Sequence, residues 1–357
     1  MKKLDWYIVK KFLGTFFYAI LIMAVIASVI DYSEKMDDFM TKNIPAGIVL
    51  NYYKNFVPHI TALLFPLFIF IATIFFTSKM AYKSEIIAIL ASGTSYQRFL
   101  RPYVIGAIFL SSISLIANHW IVPVANKERI EFEDGYMHYN KWASEKDLHL
   151  RVTKELYIYM QNYEYHTNSG HDFTAEKIDG TFLKEKLFAD RIIYDSVKGE
   201  WKLSAVRIRT NDGLKETLTF QDEMSIKYPF KPNDLEEDDA IKEALTTQQL
   251  NTYIDRERLR GRENLNFFLI EKHRRTAQPV AAFILTIIGV CLSSRKVRGG
   301  SGLHLALGII ISALYIMAMQ FTNTFSTKAG LNPFLAAWIP NIIFGTLALL
   351  LFRRQIK

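Results

Sequence analysis

Six apolar stretches, none containing Asp, Glu, Lys or Arg, decide what this chain can fold into. They cover 12–30, 57–77, 103–124, 277–292, 303–321 and 334–352, three on each side of a polar insertion at 125–276. A helix needs about 17–25 such residues to cross a bilayer. In that solvent every backbone polar group has to be satisfied within the segment itself, which makes each stretch a helix. The sequence therefore predicts a polytopic membrane protein with a 3+3 arrangement of spans.

Basic residues next to the spans set the orientation, because Lys and Arg are retained on the cytoplasmic side during insertion. Lys2, Lys3, Lys10 and Lys11 precede span one, and Lys79, Lys83, Arg98 and Arg101 join spans two and three. Arg295, Lys296 and Arg298 join spans four and five, and Arg353, Arg354 and Lys357 follow span six. Only Asp5 and Glu85 oppose these fourteen cations, so that face carries +12, and the chain total of +8 leaves −4 for the rest. The basic balance thus reflects topology rather than nucleic-acid binding. Both termini are expected in the cytoplasm, with 31–56, 125–276 and 322–333 facing outward. Span one is too long for a secretory h-region and shows no clear cleavage site, so it is expected to be retained.

The insertion is long enough for its own core. The single cysteine, Cys291, lies in span four, so no disulfide staples the outer domain. Period-two runs recur from about 147 to 228, among them Leu148, Leu150 and Val152; Leu156, Ile158 and Met160; and Trp201, Leu203 and Ala205. Asn168-Ser169-Gly170, Asp179-Gly180, Lys198-Gly199 and Asn211-Asp212-Gly213 separate them as turns. Such strands suggest an antiparallel sandwich, jelly roll or curved half-barrel. Their inward residues, including Leu156, Ile158, Leu203 and Val206, form either an open apolar groove or a filled core. Tyr157, Tyr159, Tyr163 and Tyr165 make either an exposed aromatic face or ordinary strand packing. An acidic linker follows at 234–239, and then Thr246 with Gln249 reads as a capping box opening a helix toward span four.

The segment between spans two and three contains one short helix, about 79–98, with an apolar run at 86–91 and a stop at Gly93. It is either an interfacial connector or a coupling helix seated in a groove on a cytoplasmic motor. In the second case Glu85 and Arg98 supply ionic contacts and Ile86, Ile89 and Leu90 supply packing. The chain itself has no G-x-x-x-x-G-K-[ST], so the motor would be another protein. No ionisable residue stands at mid-membrane, where ion-coupled transporters place them. His59 and His119 lie near span ends and suit hydrogen-bonded or interfacial roles better than a proton relay. The insertion has histidines at 138, 149, 166 and 171 but no H-E-x-x-H, G-x-S-x-G or cysteine, which argues against a membrane-anchored enzyme.

Three segments together resemble the LptF/LptG (YjgP/YjgQ) permease family. They are Ser84-Glu85-Ile-Ile-Ala-Ile-Leu-Ala-Ser92-Gly93; Lys272-His273-Arg274-Arg275-Thr-Ala-Gln-Pro279; and Gly330-Leu-Asn-Pro333 with Ala337-Trp338-Ile-Pro340-Asn341. The resemblance extends over the whole chain. It implies six helices with a periplasmic β-jelly-roll inserted between helices three and four: a first triplet at 1–124, the β domain with its connecting helix at 125–262, and a second triplet at 263–357. It also implies a permease subunit of an ABC-type exporter that extracts lipopolysaccharide from the bacterial inner membrane and passes it to a periplasmic bridge. The implied partners are an LptB-type ATPase dimer, the paralogous permease, a single-span LptC-type protein and an LptA-like bridge. No cofactor belongs to this chain; ATP and Mg would sit on the ATPase.

In that family, basic residues at the outward end of span one help to bind the lipid head group. Here the matching stretch, Asp31-Tyr-Ser-Glu-Lys35-Met-Asp37-Asp38, carries acids at several of those positions. Lys35, Lys42, Lys127 and Arg129 remain the candidates, with a solvated charge as the alternative for each. A different class of reading is a non-transport membrane scaffold whose β domain binds a periplasmic partner by strand addition.

Overall fold

The computed structural model describes residues 3–137, 144–153, 155–213, 215–232, 235, 241–260, 265–296 and 301–356. Lys2, His138, Arg298, Lys357 and the acids of 234–239 lie outside the described residues. Among the described residues, six helices are long and apolar enough to cross a membrane. They are α1 (Lys3–Thr41), α2 (Ala46–Tyr82), a third running through α4 (Tyr96–Ile116) and α5 (Val122–Phe132), α8 (Asn266–Ser293), α9 (Ser301–Ala329) and α10 (Pro333–Ile356). The short helix α3 (Glu85–Ala91) joins α2 to α4, while α6 (Ile241–Ala244) and α7 (Thr247–Arg260) precede α8.

Each helix outruns its apolar stretch, since helical hydrogen bonding continues until a residue breaks it. The segment expected as an outer loop at 31–56 is therefore mostly helix. Pairs spaced i,i+4, Asp31 with Lys35 and Asp38 with Lys42, extend α1 to Thr41, and the turn comes only at Asn43 (φ 47°) and Pro45.

Chain contacts divide the protein into two units. One is Met1–Ile130, Lys242–Leu250 and Asn266–Lys357; the other is Glu131–Ile241 and Asn251–Leu265. In the first, α8 is the central helix, with Ala277, Ala281, Ala282, Leu285 and Ile288 buried. Proline explains one of its polar contacts. Pro66 in α2 has no N–H, which removes the usual helical donor to the Ala62 carbonyl. Gln278 of α8 donates there instead at 2.7 Å, and its Oε1 accepts from Asn118 at 3.2 Å. Asn118 lies in a five-residue π segment, Ala117–Ile121, that interrupts the third span. Asn341 of α10 likewise donates to the Ala277 carbonyl at 2.8 Å and accepts from Tyr315 at 3.0 Å. Segments singled out by the family resemblance thus include the polar fastenings between helices.

In the second unit the strands β1 (Ser144–Arg151), β2 (Leu156–Glu164), β3 (Ser169–Asp179), β4 (Phe182–Asp195), β5 (Glu200–Asp212) and β6 (Lys215–Ile226) form one antiparallel sheet. The strand order is sequential, so the described strands form a meander of nearest-neighbour hairpins, inserted in the chain between the third and fourth spans. Gly180 and Gly199 supply the positive φ of 64° and 67° that two of these turns require. Ile158, Leu203 and Val206 are buried, and Leu156 packs beside them. Around these residues the inward face is a filled core that the chain following β6 helps to close, while β6 itself is exposed from 215 to 223. Phe230 covers Trp201, whose Nε1 donates to the Phe230 carbonyl at 2.9 Å, and Tyr165 donates to the Leu235 carbonyl at 3.0 Å. The tyrosines do not form one exposed face. Tyr163 is buried, while Tyr159 is partly exposed and donates to Asp147 at 2.8 Å. The capping box is present: Gln249 accepts from the Thr246 N–H at 2.9 Å and opens α7.

Candidate functional site

The connector α3 has a defined start and stop. Ser84 takes a left-handed conformation (φ 62°) and its hydroxyl accepts from Lys296 at 3.1 Å. Gly93 (φ 83°) ends the helix, and its N–H donates to the Leu90 carbonyl at 3.1 Å. Seven residues are too few to be a stable helix alone, so packing holds it. Ile86 supplies that packing. It is 1% exposed and belongs to the core cluster with Ile8, Phe12, Met80, Phe99 and Tyr103.

This places the candidate coupling residues individually. Ile86 faces the chain's own core. Ile89 and Leu90 are half-buried against the same cluster. The apolar side chain that faces away is Ile87, 53% exposed, beside exposed Tyr82, Lys83 and Ala88. Glu85 is half-exposed and accepts from Tyr7 at 3.5 Å. Arg98 turns toward α1, where it pairs with Asp5 at 2.7 Å. Sequence periodicity does not distinguish Ile86 from Ile87 in so short a helix, and Asp5 is 93 residues from its partner.

The candidate head-group residues fall on two elements. Lys35 is on α1 and Lys42 in the turn just after it, and Lys127 and Arg129 are on α5, where Lys127 is exposed and Arg129 half-buried. Lys35 sits in a cluster that sequence reading did not assemble. It pairs with Asp31 at 2.9 Å and donates to the Tyr52 hydroxyl, while Tyr53 donates to Asp31 at 3.0 Å. The side chains of Lys35 and Asp31 are only 12% and 13% exposed. The acid four residues before Lys35 thus balances its charge inside an aromatic corner. Lys42 stands 3.7 Å from Asp38 and is more exposed.

Of the two histidines, His119 is within hydrogen-bond distance of a partner and His59 stands in longer-range contact with a carboxylate. His119 lies 2.8 Å from the Thr247 hydroxyl, and His59 is 3.9 Å from Glu243. Near them Arg275, 3% exposed, bonds Glu271 at 3.1 Å, Thr247 at 3.3 Å and the Lys242 carbonyl at 2.9 Å. This cluster fastens 242–250 to α8.

An array of membrane helices with a short helix linking two of them and an antiparallel β domain inserted midway defines a multi-pass α-helical membrane protein. A family model described as lipopolysaccharide export system permease LptF/LptG matches residues 6–354, nearly the whole chain. The chain belongs to that family, a component of lipopolysaccharide transport rather than an enzyme. A search of curated proteins found no match.

Proposed function

We propose that this chain is one permease subunit of an ABC-type exporter that extracts lipopolysaccharide from the bacterial inner membrane and passes it to a periplasmic bridge. In this reading both termini and α3 face the cytoplasm and the β domain faces the periplasm, which the +12 basic side supports. The observation that carries the reading is α3. It is rooted in the helix core through Ile86 and offers Ile87 and Glu85 outward, which suits insertion into a groove on an LptB-type ATPase dimer that holds the ATP and Mg. The exposed apolar faces of α1 and α9 suit the paralogous permease, an LptC-type span and the acyl chains of the substrate. Exposed Lys42 and Lys127, with Arg129 and with Lys35 once it leaves Asp31, are the cations offered to the lipid A phosphates. Strand β6 is a sheet edge among the described strands and bears exposed Leu218 and Phe220. It suits strand addition by an LptC-type or LptA-like partner.

The test is reconstitution with the ATPase and the paralogue. Glu85→Ala and Ile87→Asp should each abolish lipopolysaccharide-stimulated ATP hydrolysis, and Lys35→Glu should weaken the stimulation. Full activity in both α3 variants would replace the exporter reading with a scaffold that works through its β domain.

A further inference from the structure

Asp5 is a buried carboxylate at the inner end of the helix unit that the reading above leaves without a role. It is 5% exposed and pairs with Arg98 at 2.7 Å. Arg98 is in the first turn of α4, directly after α3, and its N–H caps onto Ser95 at 3.3 Å. Tyr7 adds a second contact, donating to Glu85 at 3.5 Å. Beneath both, Ile8 and Phe12 share one apolar cluster with Ile86, Phe99 and Tyr103, and the rings of Phe12 and Tyr103 are 5.8 Å apart. The first turns of α1 and the corner between α3 and α4 are therefore one packed block.

The rest of α1 is held differently. No side chain between Ala24 and Phe39 is buried. The helix nevertheless continues to Thr41, with no proline to bend it, and is fastened again where Lys35 and Asp31 meet Tyr52 and Tyr53. Asp5 and Asp31 are 26 residues apart, roughly 39 Å along the axis at the helical rise. A stiff helix anchored at both ends, packed along one stripe from Ile8 to Ala24 and unburied from there to the second anchor, passes a displacement of one end to the other.

We propose that Asp5 is the positioning residue through which movement of the α3–α4 corner reaches α1, and so the Lys35 end that meets the substrate. This rests on the exporter reading. An ion pair suits the task better than an apolar contact of the same size, because a charge-assisted bond fixes direction as well as distance.

The experiment compares wild type, Asp5→Asn, Arg98→Gln and the exchanged pair Asp5→Arg with Arg98→Asp, each with the ATPase and paralogue in proteoliposomes. ATP hydrolysed and lipopolysaccharide released are measured together. Asp5→Asn should keep hydrolysis within about twofold while release per ATP falls roughly tenfold, and the exchanged pair should recover most of the loss. Hydrolysis and release falling in step, or release unchanged, would overturn the proposal. A wild-type complex that hydrolyses ATP without releasing lipid would instead overturn the exporter reading. Amide hydrogen exchange on the purified chain alone tests the tie independently of that reading. Exchange across residues 5–20 should rise in Asp5→Asn, and unchanged protection there would overturn the role of Asp5 whatever the transport assay gives.

Discussion

Helices α1 and α8 have similarly apolar spans, yet they are held in opposite ways. Of the most apolar window of α8, 61% is buried within the chain, against 11% in α1. Small residues account for much of α8, where Ala281, Ala282 and Gly289 let neighbouring helices approach closely, as is usual where lipid supplies no hydrophobic drive to association. Helix α1 keeps the stripe Ile8, Phe12, Phe16, Ile20 and Ala24 inward, with Asp5, Val9 and Phe39, and presents Leu21, Val25 and Val29 outward. Apolar character in a membrane protein thus marks the solvent, and only contact identifies the core. Of the two, the more apolar window, that of α1, is the less buried.

That contrast is broken most directly at α8. Glu271→Leu leaves buried Arg275 and half-buried Arg274 without the carboxylate they share at 3.1 and 2.7 Å, and should cost about 3–5 kcal/mol in a denaturation midpoint series in detergent. Gly289→Ala tests the packing beside it. A Cβ there would lie 3.0 Å from Thr73 and 3.1 Å from Phe70, both on α2, so a loss of about 1–3 kcal/mol by the same measurement is expected. Val25→Leu in α1 and Ile309→Leu in α9, both exposed, should change the midpoint by less than about 0.5 kcal/mol, and a larger loss in the isolated chain would show that these faces are already packed.

The smallest effect belongs to the β domain, where water is the solvent. Asp195 is held down at about 2 by its hydrogen bond from Lys202 at 2.8 Å and by the N–H groups of Lys198 and Val197. A carboxylate whose folded pKa lies below its ordinary value of 3.8 stabilises the fold above that value, and the contribution disappears as pH falls from about 4 to about 2. Pepsin cleavage near the turn between β4 and β5 should therefore rise over that window in wild type. In Asp195→Asn the turn should already be accessible at pH 4, with little further change on acidification.

The chain's own pattern determined the six helices and the antiparallel sheet, because both are decisions of solvent. A charge-free stretch long enough to cross hydrocarbon has to close its own hydrogen bonds, and period-two alternation has one wet and one dry face. The turn glycines and the Thr246 capping box were legible for the same reason, since they act over two or three neighbouring residues. Tertiary structure decided what depends on distant neighbours: that Ile86 faces in and Ile87 out, that Arg98 pairs with Asp5, that the Asp31–Lys35 pair meets Tyr52 and Tyr53, and that Phe230 covers Trp201. In each case local sequence offers equivalent side chains, and only the position of a remote helix or strand makes one of them the lower-energy partner.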